Sequence, residues 1–199
     1  SRTILQETSD VYIEIADLHW DFEKWHFLEE STDFLWISEE SGFYHIYRYT
    51  REGELVKDLT PWDFEVTNIV SMDEAGDKIY FQSTEEGSTE RQLYSMNFKG
   101  KKKKRITMEP GVHSISFSSN GSYFVDSYSN ATDPGRTVLK NADGQSIREL
   151  VSNDRLRETM GGLDISDIEL MTITTEDDVE LNSYIIRPSD FDEGKEYPV

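Results

Sequence analysis

The sequence predicts an all-β chain: a partial β-propeller of about three four-stranded antiparallel blades, followed by a short helix and a β-hairpin. Three observations carry that prediction. A strand-like segment recurs at a fixed interval, each interval holds four short apolar runs, and the pattern breaks after about residue 152.

The recurrence is direct. Phe34-Leu35-Trp36-Ile37-Ser38 is similar to Ile79-Tyr80-Phe81-Gln82-Ser83 and to Tyr123-Phe124-Val125-Asp126-Ser127, at steps of 45 and 44 residues. Each is followed by a second strand at 45–49, 92–96 and 137–140, then by a glycine turn at Gly53, Gly100 and Gly144. A third strand ends at Leu59-Thr60, Ile106-Thr107 and Leu150-Val151, and a further apolar segment precedes each first strand at 11–15, 66–70 and 112–117. The strands carry β-branched and aromatic residues and the turns carry Gly, Asn and Asp. Four strands in about 45 residues is the period of a propeller blade. One blade cannot bury both of its faces, so stacked neighbours must.

The units run over 11–60, 65–108 and 112–151, within a propeller segment 1–152, and residues 1–8 read as the last strand of a preceding blade. Three blades do not close a ring of about four to eight, so the sequence reads as an arc cut from a longer chain. From 153 the pattern changes. Asn153 to Met160 reads as a short helix with an Asn cap, ended by Gly161-Gly162. Strands at 169–174 and 180–186 flank an acidic turn, and Pro188 stops the second.

Composition narrows the function. Forty Asp and Glu against 20 Lys and Arg give a net charge of −20, which repels phosphate backbones and argues against nucleic acid as a partner. With no cysteine there are no disulfides, thiolate metal sites or Cys nucleophile. No apolar run approaches the roughly 18 residues of a membrane span. His19, His26, His45 and His113 lack metal-ligand spacing, and no cofactor is expected.

Several strings invite functional readings. Glu29-Glu30, Glu39-Glu40 and Glu85-Glu86 are paired carboxylates, but the last two recur at one blade position and read as solvated turns. Lys101-Lys102-Lys103-Lys104-Arg105 mimics a nucleic-acid patch, yet follows the Gly100 turn and reads as an exposed outer strand whose lysines blunt edge pairing. Asn120-Gly121-Ser122 and Asn130-Ala131-Thr132 match glycosylation triplets that arise often by chance. His19 to His26 departs from blade regularity by lengthening the first loop, and long propeller loops often line binding surfaces. Trp20, Phe22, Glu23 and Trp25 are the candidates there, the alternative being that the aromatics cover a blade edge.

Four segments together resemble the dipeptidyl peptidase IV branch of the prolyl oligopeptidase family. They are the run from Asp33 to Tyr47, Trp62-Asp63-Phe64-Glu65-Val66-Thr67-Asn68, the run Tyr80 to Glu86 with Arg91-Gln92-Leu93-Tyr94, and Glu180 to Pro188 leading to Lys195-Glu196-Tyr197-Pro198-Val199. The last resembles the junction with an α/β-hydrolase domain, so 153–199 reads as the linker and first strands toward that domain. The lysine-rich turn and lack of cysteine look most like bacterial members. The resemblance implies a periplasmic or secreted serine exopeptidase that removes Xaa-Pro or Xaa-Ala dipeptides from a peptide substrate. In the family the triad lies beyond this chain, and the carboxylate pair that holds the substrate amine lies before these blades. The chain is therefore expected to be inert alone, its partners being peptide substrate and its own hydrolase domain. A stand-alone propeller-type module that binds a protein or a peptide is the alternative function. Exposed blade faces would also let two copies pair as a homodimer.

Overall fold

In the computed structural model of the chain, residues 2–10, 25–166 and 168–197 are described. Three antiparallel sheets of four strands follow one another. The first holds β1 (Trp25–Phe27), β2 (Phe34–Ser38), β3 (His45–Tyr49) and β4 (Leu55–Asp58). The second holds β5 (Val66–Asp73), β6 (Lys78–Ser83), β7 (Gln92–Met96) and β8 (Lys104–Arg105). The third holds β9 (Val112–Phe117), β10 (Tyr123–Ser129), β11 (Arg136–Asn141) and β12 (Ser146–Val151). Helix α1 (Asp154–Gly161) and an antiparallel hairpin, β13 (Ile168–Thr174) with β14 (Glu180–Ile186), complete the described chain. This is the partial propeller, helix and hairpin that the repeat predicts.

Strand alternation explains the stacking. Successive side chains point to opposite faces of a sheet, so β6 serves two neighbours at once. Ile79 and Phe81 pack with Leu35, Ile37, Ile46 and Leu59 of the first sheet. Tyr80, between them, packs with Leu93, Ile106 and Phe124, the last from the third sheet. Tyr80 and Phe124 both meet Phe117, with ring centroids 4.7 and 5.1 Å away. The middle sheet is thus buried on both faces, and every residue of β7 is buried. At the far end of the arc, all six residues of β12 are exposed.

The turn between the third and fourth strands repeats with one glycine each time. Gly53, Gly100 and Gly144 have φ of 89°, 67° and 90°. A Cβ there would fall 1.9 Å from the Ile4 carbonyl oxygen, 2.5 Å from that of Leu59 and 2.7 Å from that of Ile106. Each outer turn therefore rests on the backbone that ends the preceding unit, and only a residue without Cβ allows both the left-handed backbone and the approach. Ile4 holds the place that Leu59 and Ile106 hold in later units.

Three local expectations change. Residues 2–9 form no strand, because no described neighbour pairs with them; they lie against the first sheet, where Leu5 packs beside Phe34, Tyr47 and Tyr49. The strand beside β2 is Trp25–Phe27, which overlaps the end of the segment read as loop, and pairs Trp25 with Trp36. The apolar segment 11–15, expected in that role, lies outside the described residues. Asn153 does not cap α1: it is left-handed (φ 58°) with no side-chain cap bond, and its amide donates instead to the Gly135 carbonyl at 3.0 Å.

Gly100→Ala is expected to lower stability by more than the roughly 1–2 kcal/mol of left-handed backbone alone, because the added methyl also meets Leu59. Gly42→Ala is the control, with φ 98° and nothing within 4 Å of the new atom. Urea midpoints of the two variants measure the inter-blade component; equal losses would refute it.

Candidate functional site

Of the four loop residues singled out by sequence, Trp20, Phe22 and Glu23 lie outside the described residues. Trp25 opens β1, is 43% exposed and stacks on Trp36, with centroids 6.1 Å apart and planes 12° from parallel. The Trp36 indole donates to Glu7 at 2.6 Å. Glu7 in turn lines a cavity of about 470 Å³ with Ser38, Glu39, Glu40 and Tyr49. The fold thus connects Trp25, through Trp36 and Glu7, to a cleft bordered by three carboxylates, which suits a cationic group better than an anion. Burial, followed by the nearby Glu40 and Glu7 carboxylates, raises the Tyr49 hydroxyl above its ordinary pKa.

The second recurrent acidic turn is used differently. Glu85 pairs with Lys103 at 2.5 Å and Glu86 with Arg105 at 2.6 Å. Tyr94 also donates to Glu86 at 3.2 Å, and its hydroxyl is pushed up first by burial, then by Glu85 and Glu86. The Lys103 ammonium stands 4.3 Å from the Trp62 ring centroid and 4.8 Å from that of Phe64, a cation–π arrangement. So the carboxylate pair read as a solvated turn is neutralised by Lys103 and Arg105 across the sheet, while Lys101, Lys102 and Lys104 of the basic run are exposed on and beside the outer strand. Spacing alone does not reveal this, because the partners are about 18 residues apart in sequence and adjacent only in the folded sheet. The turn at Glu29-Glu30 is fixed by Glu74, whose carboxylate accepts both backbone N–H groups at 2.7 and 2.8 Å.

A buried polar cluster between the second and third sheets was not anticipated. His113 and Asp126 have fully buried side chains, and Lys140 is 3% exposed. One Asp126 oxygen lies 2.7 Å from His113 Nδ1, the other 2.8 Å from Lys140 Nζ. His113 Nε2 faces the Glu109 carbonyl at 2.9 Å, Lys140 Nζ lies 3.3 Å from the Glu109 carboxylate, and Gln82 donates to the His113 carbonyl at 2.6 Å. Tyr128 stacks on the imidazole at 4.9 Å. Strand alternation held the signal: Asp126 lies two residues from buried Phe124, on the same inward face. Closed off from solvent, His113, Asp126 and Lys140 act as a polar seam between sheets, with the half-exposed Glu109 at its edge.

Burial opposes the charge on Lys140, but the bonds to Asp126 and then Glu109 prevail and raise its pKa. Burial likewise opposes the Glu109 carboxylate, while backbone N–H groups and Lys140 lower its pKa. A raised lysine stabilises fully below its unfolded pKa, near 10.4, and loses that contribution as pH rises through its folded value. The lowered carboxylate contributes above the ordinary range of about 4.3 and loses its contribution as pH falls through its folded value. Stability is therefore expected to hold a plateau between these limits and to fall at both ends, as urea midpoints at a series of pH values can check. Asp126→Ala removes the nearer of the two carboxylates that face Lys140 and the one that faces His113, leaving Lys140 only the more distant Glu109, and is expected to cost about 3–5 kcal/mol; a loss below about 1 kcal/mol would mean the seam carries little.

Comparison with known proteins agrees with this architecture. Residues 1–135 match the family described as "Dipeptidyl peptidase IV (DPP IV) N-terminal region". A probable dipeptidyl peptidase 4 of Aspergillus fumigatus is 32% identical over 165 residues, 82% of this chain and 22% of the relative. The dipeptidyl peptidase 4 of Arthroderma otae is 32% identical over 166 residues, again 82% of this chain and 21% of the relative. The crystal structure of Porphyromonas gingivalis dipeptidyl peptidase 4 superposes with a TM-score of 0.80 at 31% identity, over 88% of this chain and 25% of that one. The chain thus spans about a quarter or less of the relatives it matches. With the family match covering well over half of its length, this chain belongs to the dipeptidyl peptidase IV N-terminal region family.

Proposed function

We propose that this chain is the non-catalytic propeller segment of a serine dipeptidyl-peptidase, where it walls and screens the cavity through which a peptide N-terminus reaches the active site. The observation that carries this reading is the order of parts: three stacked four-stranded sheets of this family, then a helix, then a hairpin that is no further blade. A stand-alone binding module has no need of that helix and hairpin after its last sheet.

The reaction would remove Xaa-Pro or Xaa-Ala dipeptides by acyl transfer at a Ser-His-Asp triad in a following α/β-hydrolase domain. No Gly-x-Ser-x-Gly elbow occurs in the 199 residues. The hairpin supports a partner domain, since Leu170, Ile173, Leu181, Tyr184 and Ile186 are all exposed apolar groups that burial would favour. It lies beside the β6–β7 turn, where Asn182 donates to Ser88 at 2.6 Å. The acidic cleft near Trp25 would favour cationic peptides along the cavity wall. No described helix is long and apolar enough to cross a membrane; export to the periplasm or medium is part of the proposal and follows from the family likeness.

Cleavage of a Gly-Pro chromogenic dipeptide is the deciding assay. The full-length protein carrying this segment is expected to be active and the 199-residue chain inert; no activity in the full-length protein would shift weight to the interaction-module reading. Trp25→Ala in the active protein is expected to raise KM with kcat little changed, the pattern of lost uniform binding. An unchanged KM would restrict Trp25 to covering the blade edge.

A further inference from the structure

Helix α1 follows the third sheet and precedes the hairpin, yet none of its eight residues is buried. An apolar face does not dock it, and Asn153 gives it no side-chain cap. Its attachment is polar and centres on one residue. Arg157 Nε and Nη2 both donate to Asp133 Oδ1, at 3.1 and 2.7 Å. Nη2 also donates to the Gly135 carbonyl at 2.9 Å, and Nη1 donates to the Ser152 carbonyl. Asn153 adds its bond to the same Gly135 oxygen.

The receiving turn is itself fixed. Asp133 accepts the Gly135 N–H at 2.8 Å. Gly135 has φ 82°, and a Cβ there would fall 1.7 Å from the Tyr128 carbonyl oxygen, so the turn lies directly on β10. One planar guanidinium therefore joins three segments: the turn between β10 and β11, the end of β12, and the helix. Arg suits this role because its donors form a rigid fork that a lysine ammonium lacks.

We propose that Arg157 is a positioning residue that locks α1 onto the Asp133–Gly135 turn and so sets the direction in which the chain leaves the third sheet. Resting on the peptidase reading above, the lock fixes how the following catalytic domain sits against the propeller. An isolated surface ion pair adds little to global stability. The signature of this residue is accordingly local order and alignment rather than resistance to unfolding.

The test uses the full-length protein, with amide hydrogen exchange as the first readout. Arg157→Gln is expected to speed exchange across 154–161 by about tenfold or more, the factor that losing one charged hydrogen bond supports, while β6 and β10 stay protected. Arg157→Lys should fall between, keeping the charge and losing the fork, and Asp133→Asn should reproduce part of the effect should Arg157→Gln fold poorly. Unchanged helix exchange, equal loss of protection in the strands, or full rescue by lysine would overturn the proposal. The second readout is kcat and KM for the Gly-Pro substrate: a fall in kcat is expected, and unchanged kinetics alongside a loosened helix would overturn the claim about domain alignment. If the unaltered protein shows no peptidase activity, the peptidase reading fails while hydrogen exchange still decides whether Arg157 locks the helix.

Discussion

Contact between successive sheets is the constraint on which the rest of this structure depends, because each four-stranded sheet is apolar on two faces and can cover neither by itself. The middle sheet shows the consequence. Phe81 is fully buried against the first sheet, and Tyr80, the adjacent residue, is buried against the third. Alternation along one strand is thus spent on two interfaces, and the blades must stack in chain order for either residue to leave water. The glycine turns belong to the same constraint: the approach of Gly100 to Leu59 fixes how far one sheet can slide over the next.

Polar groups then set the register at the ends of the sheets, and here the units both repeat and diverge. The hydroxyls of Thr60 and Thr107 accept the backbone N–H of Ile46 and Leu93, each at 2.8 Å. At the next level, His45 Nε2 faces the Trp62 carbonyl at 2.7 Å and Gln92 Nε2 donates to the Glu109 carbonyl at 2.9 Å. Two different side chains, 47 residues apart, satisfy equivalent carbonyls. Between the second and third sheets the task passes to His113, Asp126 and Lys140, where a buried carboxylate is tolerated because two donors face it. The repeat conserves a backbone demand and lets the side chain that meets it vary.

Helix α1 and the hairpin follow different physics. Beyond β12 the contacts that hold the helix and the hairpin to the sheets are polar. Arg157 binds the helix to the third sheet, and Asn182 meets Ser88 beside the β6–β7 turn. Polar attachments of this kind specify direction more than stability.

The sequence by itself determined the period, the four-strand unit, the helix and the hairpin, because alternation, β-branched content and glycine turns are local properties read along one strand. It also determined family membership, which rests on residue identity in order. It did not reveal that Trp25–Phe27 forms the strand beside β2: three aromatic-flanked residues are too short a run to stand out from the irregular segment around them. Nor did it reveal that Glu85 and Glu86 neutralise Lys103 and Arg105, that Asp126 is sealed between sheets, or that Asn153 turns from its helix to the Gly135 carbonyl. Only the tertiary structure decided these. Each depends on which strand ends meet in space, and one short sequence motif can be a solvated turn or half of an ion pair according to what the fold sets opposite it.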